Sequence, residues 1–134
     1  MKKIILLLII AFPIITIGAT YEDALELFKK KQYKDSLKVL AENLVVADDL
    51  VPNSSNYNLR FLAAHNHWKL GNTNSVVTHF KRCMDIKKDT VEPYIDLALF
   101  MIEIKRYNEA ERIVVKGLSI KKEAMLYYVL VKQI

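Results

Sequence analysis

Apolar residues recur every three or four positions along most of the chain, which is the spacing that places them on one face of an α-helix. The pattern is clear from Ala24 to Phe28 and again from Leu37 to Leu44. β-Favouring residues such as Val129–Val131 lie inside longer stretches of this helical spacing, and no alternating strand pattern stands out. The sequence therefore predicts an all-α fold.

Capping residues and turn formers divide this pattern into seven predicted helices. Thr20 and Asp23 have the spacing of a capping box at the start of the first helix. Pro93 fits the first turn of the fifth helix, after a cap at Asp89 or Thr90, because the N–H that proline lacks would be unpaired there. The helices after the first are predicted to begin near residues 34, 55, 74, 90, 108 and 122.

The start of the chain has the order of a secretory signal. Two lysines precede an apolar run from Ile4 to Ile17, and small residues follow it. The run is shorter than the roughly 20 apolar residues of a comfortable membrane span. We expect residues 1–19 to be a signal peptide that is cleaved after Ala19, with an uncleaved N-terminal anchor as the alternative. Both place residues 20–134 outside the cytoplasm, in the periplasm or secreted; a buried helix of a cytosolic domain is a third interpretation.

Charge and cysteine content narrow the classes of partner. The formal net charge is +5, of which Lys2 and Lys3 in the leader contribute two. The other basic residues are scattered between acidic ones, whereas nucleic-acid binders cluster them on one face. We therefore expect no nucleic-acid partner, with weak affinity for anionic surfaces as a minor option, and contact with a membrane only through an uncleaved leader. The single cysteine, Cys83, allows no intramolecular disulfide bond.

Two consecutive parts of the chain resemble each other at an offset of 34 residues. Residues 70–77 align with residues 104–111, and the match continues in both directions. The segment 48–56, which contains Pro, Asn and Ser, is predicted as a loop, and its last six residues, 51–56, separate the first repeating unit from the second. A helix–turn–helix repeat fits this period. The repeating units that we infer cover residues 17–50, 57–90 and 91–124.

The segment Tyr107–Glu111 resembles the start of the second helix of a tetratricopeptide repeat (TPR), a family with the same period. In that family a small residue lets the two helices of a unit approach closely, and Ala110 occupies its place. Gly71 stands at the family's turn glycine, where Lys31 and Lys105 replace it in the other units. The resemblance covers nearly all of the chain after the leader. It implies antiparallel helix hairpins, about three units and a C-terminal helix, stacked as a short right-handed superhelix.

The predicted terminal helix, residues 122–134, is apolar on all sides from Met125 to Val131. The last helix of a repeat stack usually has a polar outer face. One interpretation is a short helix that is half-buried against the third unit. The other is a contact surface for a partner or a second copy, formed by Met125–Ile134, because exposed apolar patches often mark such surfaces.

The TPR resemblance also implies a binding face. In that family the first helices of successive units line an inner face on which partner segments bind. Aromatic anchors carry much of the energy at interfaces, so Trp68 is the main candidate. The alternative is that these apolar side chains pack between units as ordinary core. The candidate partner-binding residues are Tyr21, Phe28, Phe61, His65, Trp68, Lys69, Ile95 and Ile102.

Patterns of catalytic residues are missing from the sequence: it has no Gly-rich phosphate loop, nucleophile elbow or paired-carboxylate motif. His65 and His67 are two residues apart and therefore point to different sides of a helix. His79 and Cys83 could touch one metal ion, but we expect Cys83 to be a small packed residue and His79 to lie at the surface. A metal-dependent enzyme around these four residues is a third hypothesis. We expect no metal, no cofactor and no enzymatic activity.

We therefore expect an extracytoplasmic scaffold or adaptor that binds a peptide or protein segment on an aromatic face. Cell-envelope assembly would be the natural setting, which is an analogy at the level of fold. The alternative is a self-associating structural subunit that uses its apolar C-terminal helix.

Overall fold

The computed structural model describes residues 18–46 and 54–132, and within these residues the chain forms seven α-helices and no β-strand. The all-α prediction is therefore confirmed. Most of the predicted leader, most of the predicted 48–56 loop and the last two residues lie outside the described residues. The helices are α1 (Tyr21–Lys29), α2 (Tyr33–Val46), α3 (Ser54–Leu70), α4 (Thr73–Ile86), α5 (Glu92–Glu103), α6 (Tyr107–Ile120) and α7 (Ala124–Lys132).

The helices pack as consecutive hairpins. α1 packs on α2, α3 on α4 and α5 on α6, while contacts from α2 to α3 and from α4 to α5 join one hairpin to the next. α7 packs against both α5 and α6. This is the repeated arrangement of an all-α helical repeat. None of the helices in residues 18–46 and 54–132 combines the length and the hydrophobicity needed to cross a bilayer.

The turns inside the three hairpins have the same backbone structure. Lys31, Gly71 and Lys105 have positive φ angles of 61°, 74° and 63°. Each donates its backbone N–H to the carbonyl three residues earlier, and the next residue donates to the carbonyl five residues earlier, at distances from 2.8 to 3.1 Å. Paired bonds of this kind define the Schellman motif that ends many helices. The positions equated by the sequence alignment are thus also equivalent in backbone conformation.

Small or β-branched side chains occupy equivalent places in the hairpins, one on each helix of a pair. All of them are completely buried. Short side chains at such places allow two helix axes to approach closely. In the first hairpin the two residues are also bonded, because Ser36 Oγ donates to the Ala24 carbonyl at 2.7 Å. The residues are Ala24 and Ser36, Ala64 and Val76, and Ala98 and Ala110.

The start of α1 agrees with its predicted capping box. Thr20 donates its backbone N–H to Asp23 Oδ2 at 2.7 Å, and Thr20 Oγ1 accepts from the Asp23 N–H at 3.5 Å. α3 begins at Ser54, within one residue of its predicted start near residue 55, although residues 54–56 also belonged to the segment predicted as a loop and are helical. Ser and Asn favour helix N-termini as strongly as they favour loops, so their presence does not separate the two.

The predicted cap of α5 is wrong. The helix begins at Glu92 and its N-cap residue is Val91, which provides no side-chain hydrogen bond. The backbone N–H of Thr90 instead bonds weakly to the Lys87 carbonyl in the preceding turn, at 3.4 Å. Pro93 explains why a capping side chain is dispensable, because it removes one of the N–H groups that a cap would satisfy.

The core has a larger part, a smaller part and a minor cluster of Tyr57, Cys83 and Ile86 between α3 and α4. The larger one lies among α3 to α7 around Phe80, Phe100 and Leu126. The smaller one lies among α1, α2 and α3 around Leu40 and Ala63. α3 contributes to the smaller part with one face, through Leu62 and Ala63, and to the larger part with the opposite face, through Phe61 and Ala64. The helix therefore lies between the first hairpin and the rest of the molecule.

Candidate functional site

Four ring-bearing side chains of α3 stack along one side of the helix, and we call them the aromatic ladder. They follow one another at intervals of four, four and three residues, which places them on one helix face. Successive ring centroids are 5.7, 4.9 and 5.6 Å apart. The ladder residues are Tyr57, Phe61, His65 and Trp68.

The inner edge of the aromatic ladder rests on two buried phenylalanines. Phe61, His65 and Trp68 each meet the ring of Phe80 edge-on, with centroids 5.7, 5.5 and 6.5 Å away. Trp68 also meets Phe100, at 5.3 Å. Phe80 and Phe100 are fully buried, whereas the three ladder residues are only partly buried. These three rings are therefore fixed on one side by the core and partly open to solvent on the other.

Three carboxylates of α5 accompany the ladder, and we call them the acidic row: Glu92, Asp96 and Glu103. Their spacing of four and seven residues keeps them on one face of α5. His65 Nε2 lies 3.0 Å from Asp96 Oδ2. The indole Nε1–H of Trp68 donates to Glu103 Oε2 at 2.7 Å. These two contacts join α3 to α5 across the surface, so the ladder and the acidic row together form one α3–α5 face.

Tyr57 closes one end of this face. The residue is 5% exposed, and its pKa is raised first by burial and then by negative charge from groups that include Glu92 and Asp96. The ammonium of Lys87 lies 4.4 Å above the centre of the Tyr57 ring, a cation–π contact. Among the described residues, no group forms a hydrogen bond with the buried Tyr57 hydroxyl.

The structure brings six of the predicted binding residues to α3 and α5. Phe61, His65 and Trp68 belong to the aromatic ladder. Ile95 and Ile102 are partly buried against the larger core. Lys69, which follows Trp68, is exposed. The α3–α5 face therefore contains most of the predicted residues, although the two isoleucines contribute chiefly to packing.

The other two predicted residues lie on α1 and do not join the ladder. Tyr21 and Phe28 pack against the smaller core around Leu40. Phe28 meets Tyr33 edge-on, with centroids 5.5 Å apart. Burial, and to a lesser degree the charge of Glu22, raises the pKa of Tyr21. Their side chains therefore belong to the first hairpin, away from the ladder.

The eight candidate residues did not include Tyr57 or the three carboxylates of the acidic row. Two of these omissions carried a usable signal, because Tyr57 precedes Phe61 by four residues and Asp96 follows Glu92 by four. Lys87 had no such signal, since it reaches the ladder from the connection between α4 and α5.

The terminal helix α7 presents a second apolar surface. Leu126 and Val129 are completely buried, so one side of the helix packs against the core. Its other side carries large apolar residues that are 45% to 63% exposed. These exposed residues are Met125, Tyr127, Tyr128 and Val131.

The histidines and the cysteine point in different directions. His65 faces α5, whereas His67 stacks on His79 of α4 with ring centroids 5.3 Å apart, so His79 is partly buried and not simply at the surface. Cys83 is fully buried and its thiol donates to the Tyr57 carbonyl at 3.6 Å. Burial raises the pKa of that thiol to about 12. In the part of the chain that the structure describes, no three His, Cys, Asp or Glu side chains cluster as a metal site requires.

The chain matches no model of a known protein family and no curated protein. Its function therefore has to be inferred from the geometry and the chemistry of its surfaces.

Proposed function

We propose that this protein is an interaction scaffold outside the cytoplasm that binds a peptide or protein segment on its α3–α5 face. The observation that carries the proposal is the aromatic ladder, whose inner edge is fixed on Phe80 while its outer edge stays accessible. Rigid aromatic side chains that are already ordered lose little entropy on binding, which makes them efficient anchors.

The repeated hairpins support this proposal. The three equivalent turns and the buried small residues are what a TPR-like stack requires, and in that family the first helices of the units bind partner segments. α3 and α5 are first helices of their hairpins. The location outside the cytoplasm rests on the signal-like order of residues 1–19.

Replacing Trp68 by Leu tests the proposal. Leucine keeps apolar contact with Phe80 and Phe100, so the fold should survive, but it removes the indole surface that a partner would cover. Replacing Tyr107, which is 47% exposed at the start of α6, by Leu is the matched control. The tagged full chain and both variants would be compared for the envelope proteins of the source cell that each retains, identified by mass spectrometry.

We expect at least one protein to be retained by the unchanged chain and by the Tyr107 variant but lost with the Trp68 variant. Far-UV circular dichroism and a thermal melt of each chain would verify that the fold is kept. Identical retention by all three chains would contradict a binding role for the ladder.

A second candidate function is self-association through α7. The exposed side of this helix supports it, because a run of large apolar residues in water favours burial against another surface. Replacing Val131 by Lys should then abolish any concentration dependence of the sedimentation coefficient. Val115 of α6 is similarly exposed, at 56% against 63% for Val131, so Val115→Lys is the control. A full chain that sediments as a monomer at all concentrations would rule this candidate out.

A further inference from the structure

We infer that the α3–α5 face selects a basic segment, one in which Lys or Arg side chains stand beside apolar ones. The inference rests on the proposed scaffold function and specifies the chemistry of its partner. Its basis is the pairing of the acidic row of α5 with the aromatic ladder of α3.

The acidic row places three carboxylates on this face, against the two ammonium groups of Lys69 and Lys87, on a chain whose formal net charge is +5. Asp96 and Glu103 each accept one contact from the ladder, from His65 and from Trp68. A carboxylate can accept several hydrogen bonds, so both keep acceptor capacity for an incoming ammonium or guanidinium group. Glu92 is exposed and extends the row toward Tyr57.

The ladder adds ring faces that attract cations. One such contact is already formed within the chain, because Lys87 Nζ lies 4.4 Å above the Tyr57 ring at the end of the ladder. That contact shows that an ammonium group is accommodated against a ring of the ladder.

Basic side chains surround another side of α5, so two sides of the molecule differ in the sign of their charge. A groove of about 320 Å³ lies between α4 and α6, and its floor includes Leu97 and Met101 of α5. Lys81, Arg112 and Lys116 line it, and one carboxylate, Glu109, is engaged by Arg106 at 2.6 Å. An acidic segment would be attracted to this groove, whereas a basic one would be attracted to the α3–α5 face.

Trp68 provides a direct reporter, because it is the only tryptophan of the chain. The probes are three short synthetic peptides in which Leu alternates with Lys, with Glu or with Ser. Each is titrated into the full chain while Trp68 fluorescence is recorded, and the anisotropy of a labelled peptide gives a second readout. We expect a saturable response to the Lys peptide that weakens as salt is added.

The double variant Asp96→Asn, Glu103→Gln tests the acidic row. Both replacements keep an oxygen that can accept from His65 and Trp68, so the ladder should stay in place. The matched control, Asp85→Asn with Glu111→Gln, removes the same charge from exposed positions of α4 and α6. We expect the double variant to bind the Lys peptide roughly tenfold more weakly, because two carboxylates that would each pair with a Lys side chain lose their charge. We expect the control to bind as the unchanged chain does.

Equal affinity for the Lys and Ser peptides, or equal binding by the double variant and its control, would overturn the inference. A response to the Glu peptide alone, or to none of the three, would also overturn it. None of these results decides the proposed function, which the Trp68→Leu retention experiment tests separately. An envelope protein that the Trp68 variant fails to retain would still show that the face binds a segment, although one of different chemistry.

Discussion

The side-chain amide of Asn66 donates a 2.9 Å hydrogen bond to Ser36 Oγ, and both residues are completely buried. Ser36 donates in turn to the Ala24 carbonyl at 2.7 Å. Asn66 lies on α3, Ser36 on α2 and Ala24 on α1. A continuous chain of hydrogen bonds thus connects the first hairpin to the helix that carries the aromatic ladder.

We expect Asn66→Ala to lower the free energy of unfolding by about 1–3 kcal/mol, since it removes a buried bond and leaves an unfilled space. Urea denaturation measures the change, and Asn74→Ala at an exposed position of α4 is the control, with an effect below about 0.5 kcal/mol. The effects of Asn66→Ala and Ser36→Ala should not add when they are combined. Strict additivity would show that the two residues are not coupled.

The left-handed turn residues give a second prediction. Lys31 and Lys105 adopt φ angles of 61° and 63°, which cost about 1 kcal/mol for a residue with a Cβ atom and little for glycine. Lys31→Gly and Lys105→Gly should therefore each raise the free energy of unfolding by about 0.5–1 kcal/mol. Lys38→Gly, within α2, should lower it by a similar amount, because glycine is unfavourable inside a helix. A decrease at the two turn positions would contradict the shared turn structure.

Replacing Gly117 by alanine should destabilise the protein, although alanine is the better helix former. Alanine normally stabilises a helix relative to glycine by about 1 kcal/mol. A Cβ at this position would lie 3.0 Å from Tyr94 Cβ and 3.1 Å from Leu126 Cδ1. Tyr94 Cβ is attached to the backbone of α5 and cannot rotate away, so we expect Gly117→Ala to lower the thermal midpoint and to loosen α7. Ser119→Ala, on the exposed side of α6, should change it little; a rise for Gly117→Ala would contradict the close contact.

Local rules were enough to predict the all-α class, the capping box of α1 and the equivalence of the three hairpin turns. Gly71 marks one turn directly, and the 34-residue offset transfers the assignment to Lys105. The cap of α5 was mispredicted because Thr90 has a suitable side chain, while the actual need for a cap is reduced by Pro93. Such competition between two local signals is not resolved by sequence pattern alone.

The contacts of the candidate site depend on packing between distant residues. The spacing on α3 predicts that Phe61, His65 and Trp68 share a face, but it does not show which side chains of α5 lie opposite them. His65 and Asp96 are 31 residues apart, and their contact requires the second and third hairpins to be stacked in one register. The contacts between the acidic row and the ladder could therefore be recognised only in the folded chain.

The last prediction concerns pH and His67. Burial lowers the pKa of this histidine below its ordinary value of 6.5, so the folded chain binds a proton at this position less readily than the unfolded chain does. Its contribution to stability is complete above pH 6.5 and is lost as the pH falls below that value. The free energy of unfolding should thus decrease on acidification. It should decrease less in the His67→Gln variant, because glutamine does not titrate. The glutamine amide oxygen can still accept from Asn72 Nδ2, which lies 3.1 Å from His67 Nδ1. Urea titrations at a series of pH values measure both slopes, and identical slopes for the two chains would show that another group is responsible.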